Sequence, residues 1–228
     1  SCAACTSCLA LSPFSSMSGS FSAGGSREMK LRVVYSLHEL VQPKPDWPNI
    51  GFNFEPVIRK MNAELRQNFP SWEFISTLAQ GEEEAKKILE QDKNASVDGY
   101  IVVQLNCWNR VIQTISQSNK PVLYVDFQYG GSGGFLVYNS GFLREKKSNV
   151  GFVSSSRTED LIAAVRCFEL TGNGGTNESF VQATRQARMQ WTPEAENSVC
   201  KDEPLRTLSA EDCRRKMGDP ELYSQRRK

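Results

Sequence analysis

The sequence holds a single histidine, His38, and none of its apolar runs approaches the ~20 residues that a helical membrane span needs. One imidazole excludes a multi-histidine metal site or a histidine relay built within this chain. Neither sign of charge is in excess, with 27 Lys and Arg against 26 Asp and Glu among 228 residues. That balance removes the broad electrostatic attraction that nucleic-acid and anionic-lipid binding rest on. Charge is missing altogether from Ser1 to Ser26, a stretch of Ser, Gly, Ala, Cys and scattered apolar residues with no periodicity.

What is present divides into three parts. Residues 1–29 read as a signal-peptide remnant or a disordered head, because the opening Cys-Ala-Ala-Cys-Thr-Ser-Cys-Leu-Ala-Leu has the composition of the end of an export signal's apolar region. Cys2, Cys5 and Cys8 form a C-x-x-C-x-x-C run, but nothing around them could supply the outer shell that a metal or cluster needs. A lipid-modified Cys fits the flanking residues poorly. Cys107 and Cys167 sit among apolar residues and read as small core residues, whereas Cys200 and Cys213 could pair if the protein is exported.

Residues 30–171 alternate strand and helix. Strands are expected at Leu31–Ser36, Glu73–Thr77, Gly99–Leu105, Pro121–Asp126 and Asn149–Ser154. The third is almost wholly apolar or β-prone, as a strand covered on both faces must be. Helices are expected at about 54–68, 82–91 and 108–117, then for about ten residues before the fifth strand, and last in a helix opened by the capping box Ser156-x-x-Glu159. In the first, Phe54, Val57, Ile58, Met61 and Leu65 share one face and Pro70 stops the run; the second places Glu82–Glu84 at its start, where the helix dipole favours them. Five strands each followed by a helix predict a three-layer, doubly wound, flavodoxin- or Rossmann-like parallel sheet. Residues 172–228 read as a linker from Gly172-Asn173-Gly174-Gly175 into a partly irregular tail with few large apolar residues, a short helix capped by Ser209, and an incomplete unit leading to a missing domain.

In such a sheet ligands bind at the carboxyl ends of the strands. The candidate pocket residues are therefore His38 after the first strand; Asn106 and Trp108 after the third; Asp126, Tyr129, Gly131 and Gly133 after the fourth; Ser154 and Arg157 after the fifth; and Trp47 in the Pro-rich loop. The glycine loop could bring backbone N–H groups to a phosphate, yet it fits neither G-x-G-x-x-G with an acidic partner nor the Lys-containing phosphate loop, and a loop at a ligand or subunit interface is the alternative. A Ser154/His38/Asp126 triad lacks any nucleophile-elbow signature. Trp47, Phe52, Tyr35 and Trp108 could form a sugar platform or pack beneath the loop.

Val97-Asp98-Gly99-Tyr100-Ile101-Val102-Val103 with Trp108, and Lys120-Pro121-Val122-Leu123-Tyr124-Val125-Asp126 with its glycine loop, resemble the N-terminal part of the L-fucose/L-arabinose isomerase-like superfamily. The likeness is nearest an exported bacterial branch labelled sugar isomerase. Val150-Gly151-Phe152-Val153-Ser154-Ser155 and the tail around Cys200-Lys201-Asp202-Glu203-Pro204 and Glu211-Asp212-Cys213 continue it, so that it covers residues 30–217. The resemblance implies a metal-dependent aldose–ketose isomerase in the full-length protein. Its divalent metal, such as manganese, would be held by later domains, so no catalytic residue and no cofactor is carried onto this chain. It further implies a sugar or other small uncharged ligand, a possible homo-oligomer and an exported or periplasmic location in bacteria, with a cytoplasmic one as the alternative. The rival expectations are a self-contained carbohydrate or small-ligand binding module and, third, an oxidoreductase-like or scaffolding protein that has lost isomerase activity.

Overall fold

The apolar runs of β1 (Lys30–Ser36) and β3 (Gly99–Gln104) can be buried along their whole length only inside a sheet covered on both faces, and they lie there, every residue but Lys30 being buried. The computed structural model describes residues 28–45, 47–128, 130–191 and 211. With β2 (Glu73–Ala79), β4 (Val122–Asp126) and β5 (Val150–Val153), the two strands form a five-stranded sheet of order β2-β1-β3-β4-β5. Every neighbouring pair is parallel; Val33 lies between Ser76 and Ile101, and Tyr124 between Val102 and Phe152. The expected doubly wound α/β fold is present.

Helices α1 (Glu55–Asn68) and α5 (Thr158–Arg166) lie together on one face. On the other face α2 (Glu82–Asp92), α3 (Val111–Ile115) and α4 (Ser132–Arg144) pack over Val34, Val102, Tyr124 and Val150 with Ile88, Ile112, Phe135 and Phe142. From β1 the chain runs outward to β2 and then returns to β3 on the opposite side. The winding direction therefore reverses between β1 and β3, which opens a crevice at their carboxyl ends.

Three elements depart from the sequence expectation, the last of them in two ways. Strand β2 runs two residues further, so Ser76 and Thr77 are not at its end; Ser76 donates to Asn62 Oδ1 at 2.6 Å and Thr77 accepts from Arg32 Nη1 at 2.9 Å. Helix α3 begins at Val111 and not at Trp108, because Trp108 (φ 62°) and Arg110 (φ 58°) take the left-handed conformation. The capping box is not made: Ser155, one residue earlier than Ser156, accepts from the Arg157 N–H at 3.1 Å and donates to Asp160. The last helix breaks at Cys167 into α5 and α6 (Phe168–Gly172). Cys107 is buried and Cys167 half-buried, the Cys167 Sγ lying 3.5 Å from the Ala163 carbonyl oxygen.

Beyond the Gly172–Gly175 turn, α7 (Asn177–Trp191) occupies part of what reads as linker. Phe180 lies tilted against Phe168 with ring centroids 4.5 Å apart, and a Cβ on Gly151 of β5 would sit 2.5 Å from Thr184 Oγ1. The described residues up to 187 form one compact unit, and residues from 188 onward belong to a second. Glu211, in the short helix expected after Ser209, is helical and exposed. The expectations for the head, for Cys200 with Cys213, and for the rest of the tail fall outside the described residues. Among the described residues no helix is long and apolar enough to cross a membrane.

Gly141 lies inside α4, and a Cβ there would meet nothing within 4 Å. Gly141→Ala is expected to raise stability by about 0.5–1 kcal/mol, since alanine loses less backbone entropy in a helix. Urea unfolding read by circular dichroism checks this; a loss of stability would mean that the outer face of α4 is covered.

Candidate functional site

The site is assembled where β4 and β5 end beneath α1 and α5. A cleft of about 420 Å³ opens there. Helix α1 supplies Val57, Lys60, Met61 and Glu64, residues spaced to share one face, and Phe52 enters from the loop before it. The β4 end supplies Asp126, Phe127 and Gln128; the β5 end supplies Ser155, Ser156 and Arg157; α5 closes the wall with Thr158 and Leu161. The phenyl rings of Phe52 and Phe127 lie 6.5 Å apart, each also against Phe54, whose side chain is fully buried.

At the inner end sits Asp126, which is 7% exposed. Its Oδ1 accepts from Ser132 Oγ at 2.9 Å, and its Oδ2 accepts from Ser154 Oγ at 2.7 Å. A carboxylate offers about four acceptor positions, so two remain after the serine bonds. Among the lining residues Lys60 and Arg157 balance Glu64 and Asp126 in formal charge, with Arg157 also 3.6 Å from Glu159. The cleft thus joins an apolar, aromatic wall to a buried acceptor, and its lining carries no net formal charge.

A second cluster lies at the β1/β3 crevice, and its polar groups bond mostly to one another, Asn109 Nδ2 alone among them being buried without a partner. Asn106, fully buried, donates from Nδ2 to Gln42 Oε1 at 3.0 Å and to the Trp47 carbonyl at 3.2 Å, while its Oδ1 accepts from the His38 backbone N–H at 2.9 Å. Asn109 Oδ1 accepts from Ser36 Oγ at 2.7 Å and Gln104 Nε2 at 3.3 Å. Tyr124 donates its hydroxyl proton to Gln104 Oε1 at 2.8 Å; burial pushes this phenol well above its ordinary pKa, so it stays a donor. These bonds pin the Pro-rich loop and the β3–α3 turn.

Of the sequence candidates, Asp126, Ser154 and Arg157 are brought together, Ser154 through its bond to Asp126. His38, Trp47, Asn106, Trp108, Gly131 and Gly133 do not line the cleft. His38 and Asn106 serve the loop clamp. Trp47 is 70% exposed, and Trp108, 59% exposed, stands edge-on to Tyr138 at 5.9 Å, so the two indoles do not pack under the loop. Tyr129 falls outside the described residues. Gly131 is needed for a different reason than ligand approach: a Cβ there would lie 1.7 Å from the Gln104 carbonyl oxygen. In place of a triad, Asp126 itself takes the Ser154 hydroxyl proton bond.

The sequence reading missed the α1 wall. Val57 and Met61 share the apolar face of that helix with the buried Leu65, yet both are only half-buried because they face the cleft. Lys60 and Glu64 at the same helical spacing were the available signal. Among the described residues no group of three or more His, Cys, Asp or Glu is placed to hold a metal ion. No family model matches the chain, and no curated protein matches it.

Proposed function

We propose that this chain is a substrate-shaping domain of a sugar isomerase-like protein, binding a small, uncharged, polyhydroxylated ligand in the cleft between α1 and α5, with the chemistry of isomerisation supplied by residues outside it. The observation that carries the ligand class is Asp126. A buried carboxylate, already oriented by two serine hydroxyls, suits adjacent ligand hydroxyls that donate to its remaining acceptor positions. The Phe52 and Phe127 rings offer the apolar surface that the C–H face of a sugar covers, and the charge-balanced lining suits a neutral ligand. The aldose–ketose class itself is supported by the sequence resemblance alone, and an exported location belongs to the same proposal.

A self-contained binding module is the second reading, favoured by the fact that a single compact unit supplies every wall of the cleft. Calorimetric titration with L-fucose, L-arabinose and related sugars separates the two. Millimolar binding without turnover supports the shaping domain, micromolar binding by the chain alone supports the module, and metal-dependent isomerisation by the chain alone overturns the first. Under either reading Asp126→Asn weakens binding about tenfold to a hundredfold, the value of a hydrogen bond to a charged group. Unchanged affinity in that variant would remove Asp126 from the site.

A further inference from the structure

A second cleft, of about 250 Å³, lies at the opposite end of the sheet, where α4 runs into β5 and α7 passes alongside. Its floor is apolar, formed by the buried side chains of Phe142 and Val150. Asn139 of α4 also lines it; the residue is only 6% exposed, its side chain has no hydrogen-bond partner among the described residues, and its amide is not one of the sealed unpartnered groups but opens into the cleft.

Lys146 and Lys147 line the same cleft, and neither is in an ion pair among the described residues. The backbone that places them is strained. Lys147 N–H donates to the Phe142 carbonyl at 2.9 Å and Lys146 N–H to the Leu143 carbonyl at 3.3 Å, the double bond pattern of a Schellman helix end. The left-handed position of that motif, normally glycine, is here Lys146 with φ 50°. A glycine would relieve the turn but remove one of the two cations. The one acid in the cleft, Glu178, has its pKa held below the ordinary value, chiefly by its own backbone N–H and the Thr176 hydroxyl, so it stays a carboxylate and the two lysines leave the cleft one net positive charge.

We propose that this cleft is a second binding site, one that takes a small organic anion whose carboxylate meets the Asn139 amide and the Lys146 and Lys147 ammonium groups while a short apolar body covers Phe142 and Val150. Ammonium and amide donors match carboxylate oxygens, and the apolar floor distinguishes such a ligand from a bare inorganic anion. The site is separate from the sugar cleft at the carboxyl ends of the strands, so it stands whether or not a sugar binds there.

The test is a titration of the ¹⁵N-labelled full chain, followed by NMR, with butyrate, n-butanol and inorganic phosphate. Butyrate is expected to shift the Asn139 side-chain amide and the Lys147 N–H saturably, with butanol and phosphate weaker. Lys147→Gln is expected to weaken butyrate binding about tenfold. Lys146→Gly is expected to weaken it also while raising Tm by about 2 °C, because the turn is relieved. Both substitutions leave the core intact. The proposal is overturned by the absence of a saturable butyrate shift, by equal binding of butanol, or by tighter binding of phosphate than of butyrate.

Discussion

Replacing Gly131 with Ala lowers stability by about 3 kcal/mol, an overpacking cost at the upper end of the usual range. For a unit of this size the melting temperature falls by about 6–12 °C. Gly131 has φ −92°, so the penalty is not conformational. The added carbon would sit 1.7 Å from the Gln104 carbonyl oxygen and 2.6 Å from its carbonyl carbon, both backbone atoms of β3 in the middle of the sheet. Neither can swing aside as a side-chain tip would. Gly130 meets the residue that follows this strand, with a hypothetical Cβ 2.5 Å from the Leu105 carbonyl oxygen. Gly133 is the internal control: its Cβ would lie 3.5 Å from Cys107 Sγ, an ordinary contact, so Gly133→Ala is tolerated. Thermal unfolding of the two variants decides the matter, and equal Tm values would mean that the loop after β4 does not rest on β3.

Removing the carboxylate of Asp92 is expected to cost about 3–5 kcal/mol, because it strands a charge inside the protein. Arg32 and Asp92 are both buried, at 8% and 2% exposure, and they meet through two nitrogens and two oxygens, with Nε to Oδ2 at 3.0 Å. Thr77 takes a third guanidinium bond at 2.9 Å. The pair ties β1 and β2 to the end of α2. Asp92→Ala leaves the guanidinium without its counter-ion, whereas Arg32→Met with Asp92→Leu removes both charges and recovers most of the loss. Chemical denaturation of the single and double variants measures this coupling. Additive losses would show that the charges do not depend on each other.

The fold was legible because its signals are long and repeated. β1 and β3 are apolar throughout, α1 and α2 keep a helical period, and no pair of strands is close enough in sequence to form a hairpin. The site was legible only in part. Strand-end polarity pointed to Asp126, Ser154 and Arg157, but it pointed equally to Asn106 and His38, whose groups hold the loop before α1 in place. A residue's position at a strand end does not say whether its hydrogen bonds face inward or outward. The glycines after β4 read as freedom to approach a ligand, while at Gly131 the reason is contact with Gln104. Trp108 and Arg110 in left-handed backbone left no trace in the sequence, because neither is a residue type that favours it.

The all-parallel pairing also governs how the chain reaches this structure. No strand can zip to its neighbour through a tight turn: Tyr100 must find Val122 across a whole helix, and Leu31 must find Gly99 across two helices and another strand. The entropy of closing those loops is lost before the contacts repay it, which places the chain among slow folders of high contact order. Until β3 docks, the apolar β1 is open on that edge to other chains, so a newly made copy is most vulnerable to aggregation before β1 and β3 meet.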